Sequence, residues 1–263
     1  MTDTLPTYIL DDSATAEYQR LDLMSKILDP WTRQYLEMLG VGPGWRCLEL
    51  GSGNGSVAEW LCGVVGSSGS VTAVDINPVL LDLVPAQNLT VREMDVRTGR
   101  LDAETYDLVS CRAFLHQIAG YAPAALEKMA AAVKPGGWLL VQEPDFHLAP
   151  TTEPEAWAAT WTGLIEWGRA NGVDWLIGRG LPGMVSTLGL GRPQAKTDVQ
   201  NIRGGDRGAV YFRLFFAEVR DRVLNSGKLD AVTFDAATAL LDDPTYWTQC
   251  WMMTAVWAHK PAA

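Results

Sequence analysis

The sequence predicts an α/β fold in which helices cover both faces of a mostly parallel β-sheet. Residues 45–143 alternate short apolar runs rich in Val and Leu with helix-like stretches, which is the pattern of βαβ units. The 263 residues are 48% hydrophobic and 20% charged. This composition is enough to bury one substantial core with a small cap beside it, and it argues against a second full domain.

Seven strands are predicted from short apolar runs bounded by turn residues. They lie at 45–50, 70–75, 89–95, 106–111, 138–143, 195–202 and 249–258. Helical spacing of apolar residues predicts helices at 17–39, 56–65, 123–133, 153–170, 181–188 and 210–224. A proline disfavours helical dihedral angles in the residue before it, so we expect the first helix to break at Asp29-Pro30.

The charge balance and the first residues exclude several classes of protein. Ten more acidic than basic residues give a formal net charge of -10, and no basic cluster is present. Because a phosphate backbone is bound by a basic surface, we predict no nucleic-acid partner. No apolar run reaches membrane-spanning length, and residues 1–12 lack the pattern of a secretory signal. We therefore predict a cytoplasmic protein with no membrane partner, and a homodimer remains open.

The cysteines do not form a metal or redox motif. Cys47, Cys62, Cys111 and Cys250 are too far apart in sequence for the spacing of a zinc site or a dithiol. We interpret them as reduced, buried thiols. No other cluster of ligand side chains is visible, so we predict a reaction without a metal.

A glycine-rich turn at residues 47–56, Cys-Leu-Glu-Leu-Gly-Ser-Gly-Asn-Gly-Ser, is the most informative segment. It follows a predicted strand and opens a predicted helix, where glycines let the backbone turn tightly and approach a ligand closely. Asp75 ends the next strand, and a carboxylate there can accept two hydrogen bonds from the hydroxyls of a ribose. These features predict a nucleoside-containing cofactor.

The spacing of the turn distinguishes two cofactor classes. Dinucleotide-binding turns favour G-x-G-x-x-G, whereas here the third glycine is Gly55 and Ser56 occupies the expected position. Glu49 precedes the first glycine by two residues, and this E-x-G-x-G-x-G arrangement resembles the first motif of class I S-adenosylmethionine (SAM)-dependent methyltransferases. Residues 74–78, 93–96, 106–116 and 126–137 are similar to later segments of that family, so the resemblance covers residues 40–145.

The resemblance implies a Rossmann-like sheet core that binds SAM. It divides the chain into an N-terminal helical lid at 1–39, similar to that of bacterial small-molecule methyltransferases, a SAM-binding core at 40–146, and an acceptor-binding cap with the remaining strands at 147–263. The cofactor-binding residues that it implies are Glu49, Gly51, Ser52, Gly53, Gly55, Asp75, Ile76, Asp95, Val96 and Arg112.

Individual roles follow from the same resemblance. Gly51 and Gly53 would approach the methionine portion of the cofactor, and Asp75 would hold the ribose. Asp95 would accept a hydrogen bond from the adenine amino group, while the amide of Val96 would donate to a ring nitrogen. Each aspartate has an ordinary structural alternative, since Asp75 could cap the following helix and Asp95 could be a turn residue.

Methyl transfer from a sulfonium is an in-line displacement for which the cofactor supplies the reactivity. A hydroxyl acceptor would also need a general base, whereas a ring carbon or an amine needs only proton removal afterwards. The candidates are His116 and Glu143, near the carboxyl ends of two strands, and Tyr8 and Tyr18, from the predicted lid. A hydrogen-bonded structural histidine and a loop-anchoring glutamate are the alternatives.

The region after residue 147 is predicted to bind the acceptor. Seven of the eleven tryptophans lie in the last two-fifths of the chain. Tryptophans at helical spacing are typical of a core, but beside an open site they also favour a flat aromatic acceptor through stacking. We expect a small, natural-product-like acceptor, indolic or phenolic, methylated on C, N or O. The residues predicted to contact it are Phe146, His147, Trp161 and Phe215.

Two rival functions remain open. A protein of this fold could bind SAM or its product without transferring a methyl group, or could catalyse a different rearrangement. A nicotinamide-dependent oxidoreductase is the other alternative, and it would be expected to carry G-x-G-x-x-G and a Tyr-x-x-x-Lys pair. Neither is found in this sequence.

Overall fold

A computed structural model of the chain describes residues 14–262. Seven strands form one sheet in the order β3-β2-β1-β4-β5-β7-β6, and β7 runs antiparallel to both of its neighbours while the other strands run parallel. The strands are β1 Arg46–Leu50, β2 Ser70–Asp75, β3 Leu89–Glu93, β4 Tyr106–Arg112, β5 Val133–Asp145, β6 Gln194–Arg203 and β7 Trp247–His259. The predicted seven-stranded, mostly parallel, Rossmann-like sheet is confirmed.

Seven α-helices accompany the sheet in residues 14–262. They are α1 Ala14–Met38, α2 Ser56–Val65, α3 Ala122–Ala132, α4 Glu155–Ala170, α5 Leu181–Ser186, α6 Arg207–Asn225 and α7 Ala231–Leu240. Helix α7 was not predicted from the apolar spacing of the sequence. This helix lacks a clear apolar stripe, since only Phe234 and Ala237 are buried along it. Asp230 caps it by accepting a hydrogen bond from the Thr233 amide.

The sheet buries a different set of side chains on each face, as the alternation along a strand requires. Leu48 and Leu50 of β1 pack with α3 and α5 on one face. Cys47, one residue out of phase, packs with α2 and the second half of α1 on the other. Glu49 and Arg112 share the strand parity of the α1–α2 face, which brings two charged side chains under α1.

The first helix is continuous, and the expected break at Asp29-Pro30 is wrong. Pro30 lies inside α1 on its exposed face, where the carbonyl that loses a hydrogen bond is next to solvent. The opposite face is held by polar contacts. The Asp29 carboxylate accepts a hydrogen bond from Arg112 at 2.8 Å and another from the Ser56 hydroxyl at 3.1 Å, so α1 is fixed to β4 and to the start of α2.

A third core lies beyond the carboxyl ends of the strands and is rich in aromatic side chains. Helices α4, α6 and α7 and the first half of β7 surround it. Its largest fully buried side chains are Trp157, Trp161, Phe212, Phe216 and Phe234. The tryptophan-rich region therefore forms a packed core, as the helical spacing indicated, and part of that core also faces a cavity described below.

The strand order places a crevice outside the carboxyl ends of β1 and β4, in the middle of the sheet. From β1 the chain proceeds outward through β2 and β3 on one side, and then through β4 and β5 on the other. Open α/β sheets bind ligands outside the carboxyl ends of the strands at such a reversal.

None of the helices in the described part of the chain is long and apolar enough to cross a membrane.

We expect Phe216→Ala to lower the free energy of unfolding by about 3–5 kcal/mol, because the fully buried ring contacts five other aromatic side chains and leaves a cavity when removed. Val232→Ala is the control, since Val232 is 81% exposed and should change stability by no more than about 0.5 kcal/mol. Denaturant unfolding measures both values. Equal effects of the two substitutions would contradict the aromatic core.

Candidate active site

The glycine-rich turn between β1 and α2 needs glycine for two physical reasons. Gly51, Gly53 and Gly55 have φ of 66°, 54° and 77°, a region that other residues rarely adopt. A Cβ on Gly51 would also lie 2.5 Å from the Phe114 ring, and one on Gly55 would lie 2.6 Å from Val84. The turn therefore brings bare backbone to the edge of the crevice.

Asp75 stands at the end of β2, beside this turn. Its carboxylate accepts hydrogen bonds from the amides of Gly53 at 2.9 Å and Asn77 at 3.0 Å. Burial raises the pKa of Asp75, and the same backbone hydrogen bonds act in the opposite direction. One side chain thus joins the turn to β2 while facing the crevice.

Glu49 is a buried carboxyl group in the wall of the crevice. Loss of hydration raises its pKa to about 8, although Arg112 nearby acts to lower it. Its Oε2 atom has no hydrogen-bond partner among the described residues. A buried acceptor of this kind is costly unless a ligand satisfies it. The position is suited to a cationic group of a bound molecule.

A cavity of about 550 Å³ opens at this crevice. All of the predicted cofactor-binding residues except Gly55 line its wall: Glu49, Gly51, Ser52, Gly53, Asp75, Ile76, Asp95, Val96 and Arg112. Gly55 lies behind the wall at the N-terminus of α2. A nucleoside with a cationic amino acid tail fits this lining. The wall offers the Asp75 carboxylate, which can accept hydrogen bonds from sugar hydroxyls, and Glu49 Oε2, which has no partner in residues 14–262.

Asp95 and Arg112 have protein partners within this wall. Asp95 accepts two hydrogen bonds from the Arg97 guanidinium, at 2.9 and 2.8 Å, and these hydrogen bonds lower its pKa. Arg112 donates to Asp29 and to the Thr32 hydroxyl, at 2.8 and 3.0 Å. The structure thus shows Arg112 joining α1 to the sheet at the rim of the cavity.

A second, smaller cavity of about 70 Å³ adjoins the first, and we call it the aromatic cavity. Leu21, Met24, Ala113 and Gln117 line both spaces. The remaining lining residues are Arg20, His116, Pro144, Phe146, Trp161, Trp175, Tyr211, Phe212, Phe215, Trp251 and Met253. Three of the four residues predicted to contact the acceptor, Phe146, Trp161 and Phe215, are therefore on its wall.

His116 and Glu143 form a buried pair at this wall. His116 Nδ1 lies 2.9 Å from Glu143 Oε2. The same carboxylate accepts hydrogen bonds from the amides of Phe114 at 2.9 Å, Leu115 at 2.7 Å and His116 at 3.1 Å. Since a carboxylate only accepts, Nδ1 is the donor in this contact, and in a neutral imidazole Nε2 is then the acceptor. Glu143 itself is fully buried and lines neither cavity.

The other predicted residues lie elsewhere. His147 contacts the Asp145 carboxylate at 3.1 Å, and that carboxylate also accepts hydrogen bonds from Arg179. His147 lines neither cavity. Tyr18 is 46% exposed and faces a separate groove between α1 and α2. Tyr8 lies outside the described residues. Their predicted roles stay predictions.

Several wall residues of the aromatic cavity were not identified from the sequence as acceptor-binding residues. Arg20 comes from α1, Tyr211 from α6 and Trp251 from β7, segments far apart in the chain. No local motif marks them, because only the packing of α1 and α6 brings them together. The aromatic content of α6 was the one available signal.

Comparison with known proteins gives the family. A model of a methyltransferase domain matches residues 17–176. The ubiquinone/menaquinone biosynthesis C-methyltransferase UbiE of Ectopseudomonas mendocina is 31% identical over 144 residues, which are 50% of this chain and 55% of that protein. The chain thus spans about half the length of the curated relatives it matches.

Two solved structures share the fold. One is Haemonchus contortus phosphoethanolamine N-methyltransferase 2 in complex with S-adenosylhomocysteine and phosphomonomethylethanolamine, with 16% identity, a TM-score of 0.55, and coverage of 93% of this chain and 52% of that one. The [4+2]-cyclase SpnF has 15% identity, a TM-score of 0.54, and coverage of 89% and 81%. The methyltransferase-domain match covers more than half of the sequence, and the chain therefore belongs to the class I SAM-dependent methyltransferase family.

Proposed function

We propose that this protein transfers the methyl group of SAM to a small aromatic acceptor bound in the aromatic cavity. The observation that carries the proposal is the adjacency of the two cavities, which share four wall residues. A space lined by cofactor-type residues thus borders a space lined by aromatic rings and a histidine. The methyltransferase-domain match favours this function over the nicotinamide-dependent alternative.

The cofactor would be held by residues at the ends of β1, β2 and β3. Asp75 would bind the ribose hydroxyls, Glu49 the ammonium group of the methionine portion, and the glycine turn would pack against that portion. Asp95 and the Val96 amide would contact the adenine. Bound SAM supplies an electrophilic methyl group, and the protein contributes alignment and exclusion of water.

We assign the general base to His116 and a positioning role to Glu143. The hydrogen bond from Nδ1 to Glu143 fixes the tautomer and the ring orientation, so Nε2 can accept a proton from an acceptor in the aromatic cavity. A hydroxyl acceptor would lose its proton to Nε2 as methyl transfer proceeds. A ring carbon would lose its proton to the same atom afterwards.

Asp75→Ala is expected to weaken SAM binding at least about 10-fold, because hydrogen bonds to a charged group contribute about 1.5–3 kcal/mol each. Isothermal titration calorimetry on purified protein gives the affinity. Asp102→Ala is the control, since Asp102 is largely exposed and lies outside the cavity. Unchanged affinity in a folded Asp75→Ala protein, or no binding by the parent protein at millimolar SAM, would count against the proposed cofactor site.

Glu49 makes cofactor binding depend on pH. With its pKa raised to about 8, Glu49 is mostly protonated in the free protein at pH 7, and an ammonium group favours its carboxylate form. We expect binding at pH 7 to release up to about one more proton from the parent protein than from Glu49→Gln. Affinity should therefore rise between pH 6 and 8 in the parent protein more steeply than in the variant.

Calorimetry in two buffers with different ionisation enthalpies counts these protons directly. The difference between the parent protein and Glu49→Gln removes any contribution from the amino group of SAM itself. Equal proton release in both proteins would show that Glu49 does not contact the ammonium group.

His116→Gln is expected to lower kcat by about 10²–10⁴-fold for a hydroxyl acceptor while leaving SAM affinity unchanged, because only proton removal is lost. The assay uses labelled SAM with a panel of phenolic and indolic acceptors. His259→Gln is the matched control, since that histidine packs against Trp138 and lines neither cavity. Full activity of His116→Gln with every acceptor that the parent protein methylates would show that His116 is not the general base.

A further inference from the structure

Two tryptophans of the aromatic cavity have indole N–H groups that donate to no other described residue. The Nε1 atoms of Trp161 and Trp251 are buried and have no hydrogen-bond partner among the described residues. Both rings line the aromatic cavity. Buried donors without a partner are few in folded proteins, and in a binding site they indicate a ligand that accepts a hydrogen bond.

A cation lies at the same wall. Arg20 is only 4% exposed, donates a hydrogen bond to Tyr211, and forms ion pairs with Glu218 at 3.6 Å and with Glu17 at 3.9 Å. No Asp or Glu side chain of the described residues lines the aromatic cavity. A ligand in this space therefore meets the Arg20 side chain, because the Glu17 and Glu218 carboxylates that flank Arg20 do not line this cavity. A cationic ligand would find no carboxylate on the wall.

The rings around the cavity are already arranged for a flat ligand. Phe146 and Trp161 are stacked with centroids 4.6 Å apart, and Tyr211 and Trp251 are stacked at the same distance. Packing between these pairs fixes the ring planes before a ligand binds, which lowers the cost of ordering the site. The volume of about 70 Å³ excludes a large polycyclic ligand.

We infer that the aromatic cavity binds a planar aromatic acceptor that carries an oxyanion, either a phenolate or an aryl carboxylate. The inference rests on the proposed function, because it describes the acceptor of that site. Arg20 and the two indole N–H groups recognise the oxygen, and the stacked rings recognise the aromatic plane. A neutral indole or an aryl amine satisfies fewer of these groups, so the inference excludes the indolic acceptors of the earlier prediction.

The test is binding of three probes of nearly equal shape: 4-nitrophenol, 4-nitrobenzoate and 4-nitroaniline. Titrations are run with and without S-adenosylhomocysteine, at a pH where the phenol is partly ionised. We expect either anionic probe to bind at least about 10-fold more tightly than 4-nitroaniline. The visible absorbance of bound 4-nitrophenol should show a larger ionised fraction than in free solution. Preference for 4-nitrobenzoate would identify the oxyanion as a carboxylate substituent rather than the phenolic oxygen.

Tryptophan-to-phenylalanine substitutions test the donors while keeping aromatic rings. Trp161→Phe and Trp251→Phe should each lower the affinity for the anionic probe about 10-fold and leave the affinity for 4-nitroaniline unchanged. Trp157→Phe is the matched control, because the buried Nε1 of Trp157 also has no hydrogen-bond partner in residues 14–262 but Trp157 lies outside the cavity wall. This control substitution should leave the affinity for every probe unchanged.

The outcomes separate the two proposals. If S-adenosylhomocysteine and SAM fail to bind, the proposed function fails, and the titrations without cofactor still decide the probe preference. If SAM binds but 4-nitroaniline binds as tightly as the anions, only the oxyanion inference is overturned. Absence of binding by all probes, or an equal effect of Trp157→Phe and Trp161→Phe, also overturns it.

Discussion

The buried carboxylate of Glu143 is the interaction on which the candidate site depends. A charge without contact to water is tolerated only when its hydrogen-bonding capacity is filled, and here three backbone amides and one imidazole fill it. These donors belong to the short segment that follows β4. The carboxylate on β5 therefore holds the end of β4 in the conformation that forms the junction of the two cavities. Ala113, with φ of 50°, is the strained residue at which this turn begins.

Much of the fold could be predicted because its signals are local. Alternating and helical apolar spacing placed all seven strands within a few residues, except that β5 begins earlier, at Val133, than the predicted residue 138. The errors have tertiary causes. Pro30 should end a helix by its local geometry, but the bonds of Asp29 to β4 and α2 hold α1 in one piece. Helix α7 lacks the apolar periodicity that the sequence analysis relied on.

The two cavities differ in how far the sequence could reveal them. The cofactor wall is built from the glycine turn and from residues directly after neighbouring strands, so parallel strand order alone brings Glu49 and Asp75 together. The aromatic wall combines α1, α4, α6 and β7. No short pattern encodes that convergence, and Arg20 could be assigned only to a lid-like helix. In the folded protein Arg20 forms a hydrogen bond with Tyr211, which lies 191 positions later in the chain, and both line the aromatic cavity.

The tight approach of Phe114 to Gly51 joins these regions physically. Any side chain at Gly51 would displace the Phe114 ring, because the space between them holds nothing larger than a hydrogen atom. Phe114 is two residues from His116, and its amide is bound by Glu143. The absence of a side chain at Gly51 therefore helps to fix the position of the His116 imidazole, 65 positions later in the chain. A substitution in the glycine-rich turn would also shift the residue that we propose as the general base.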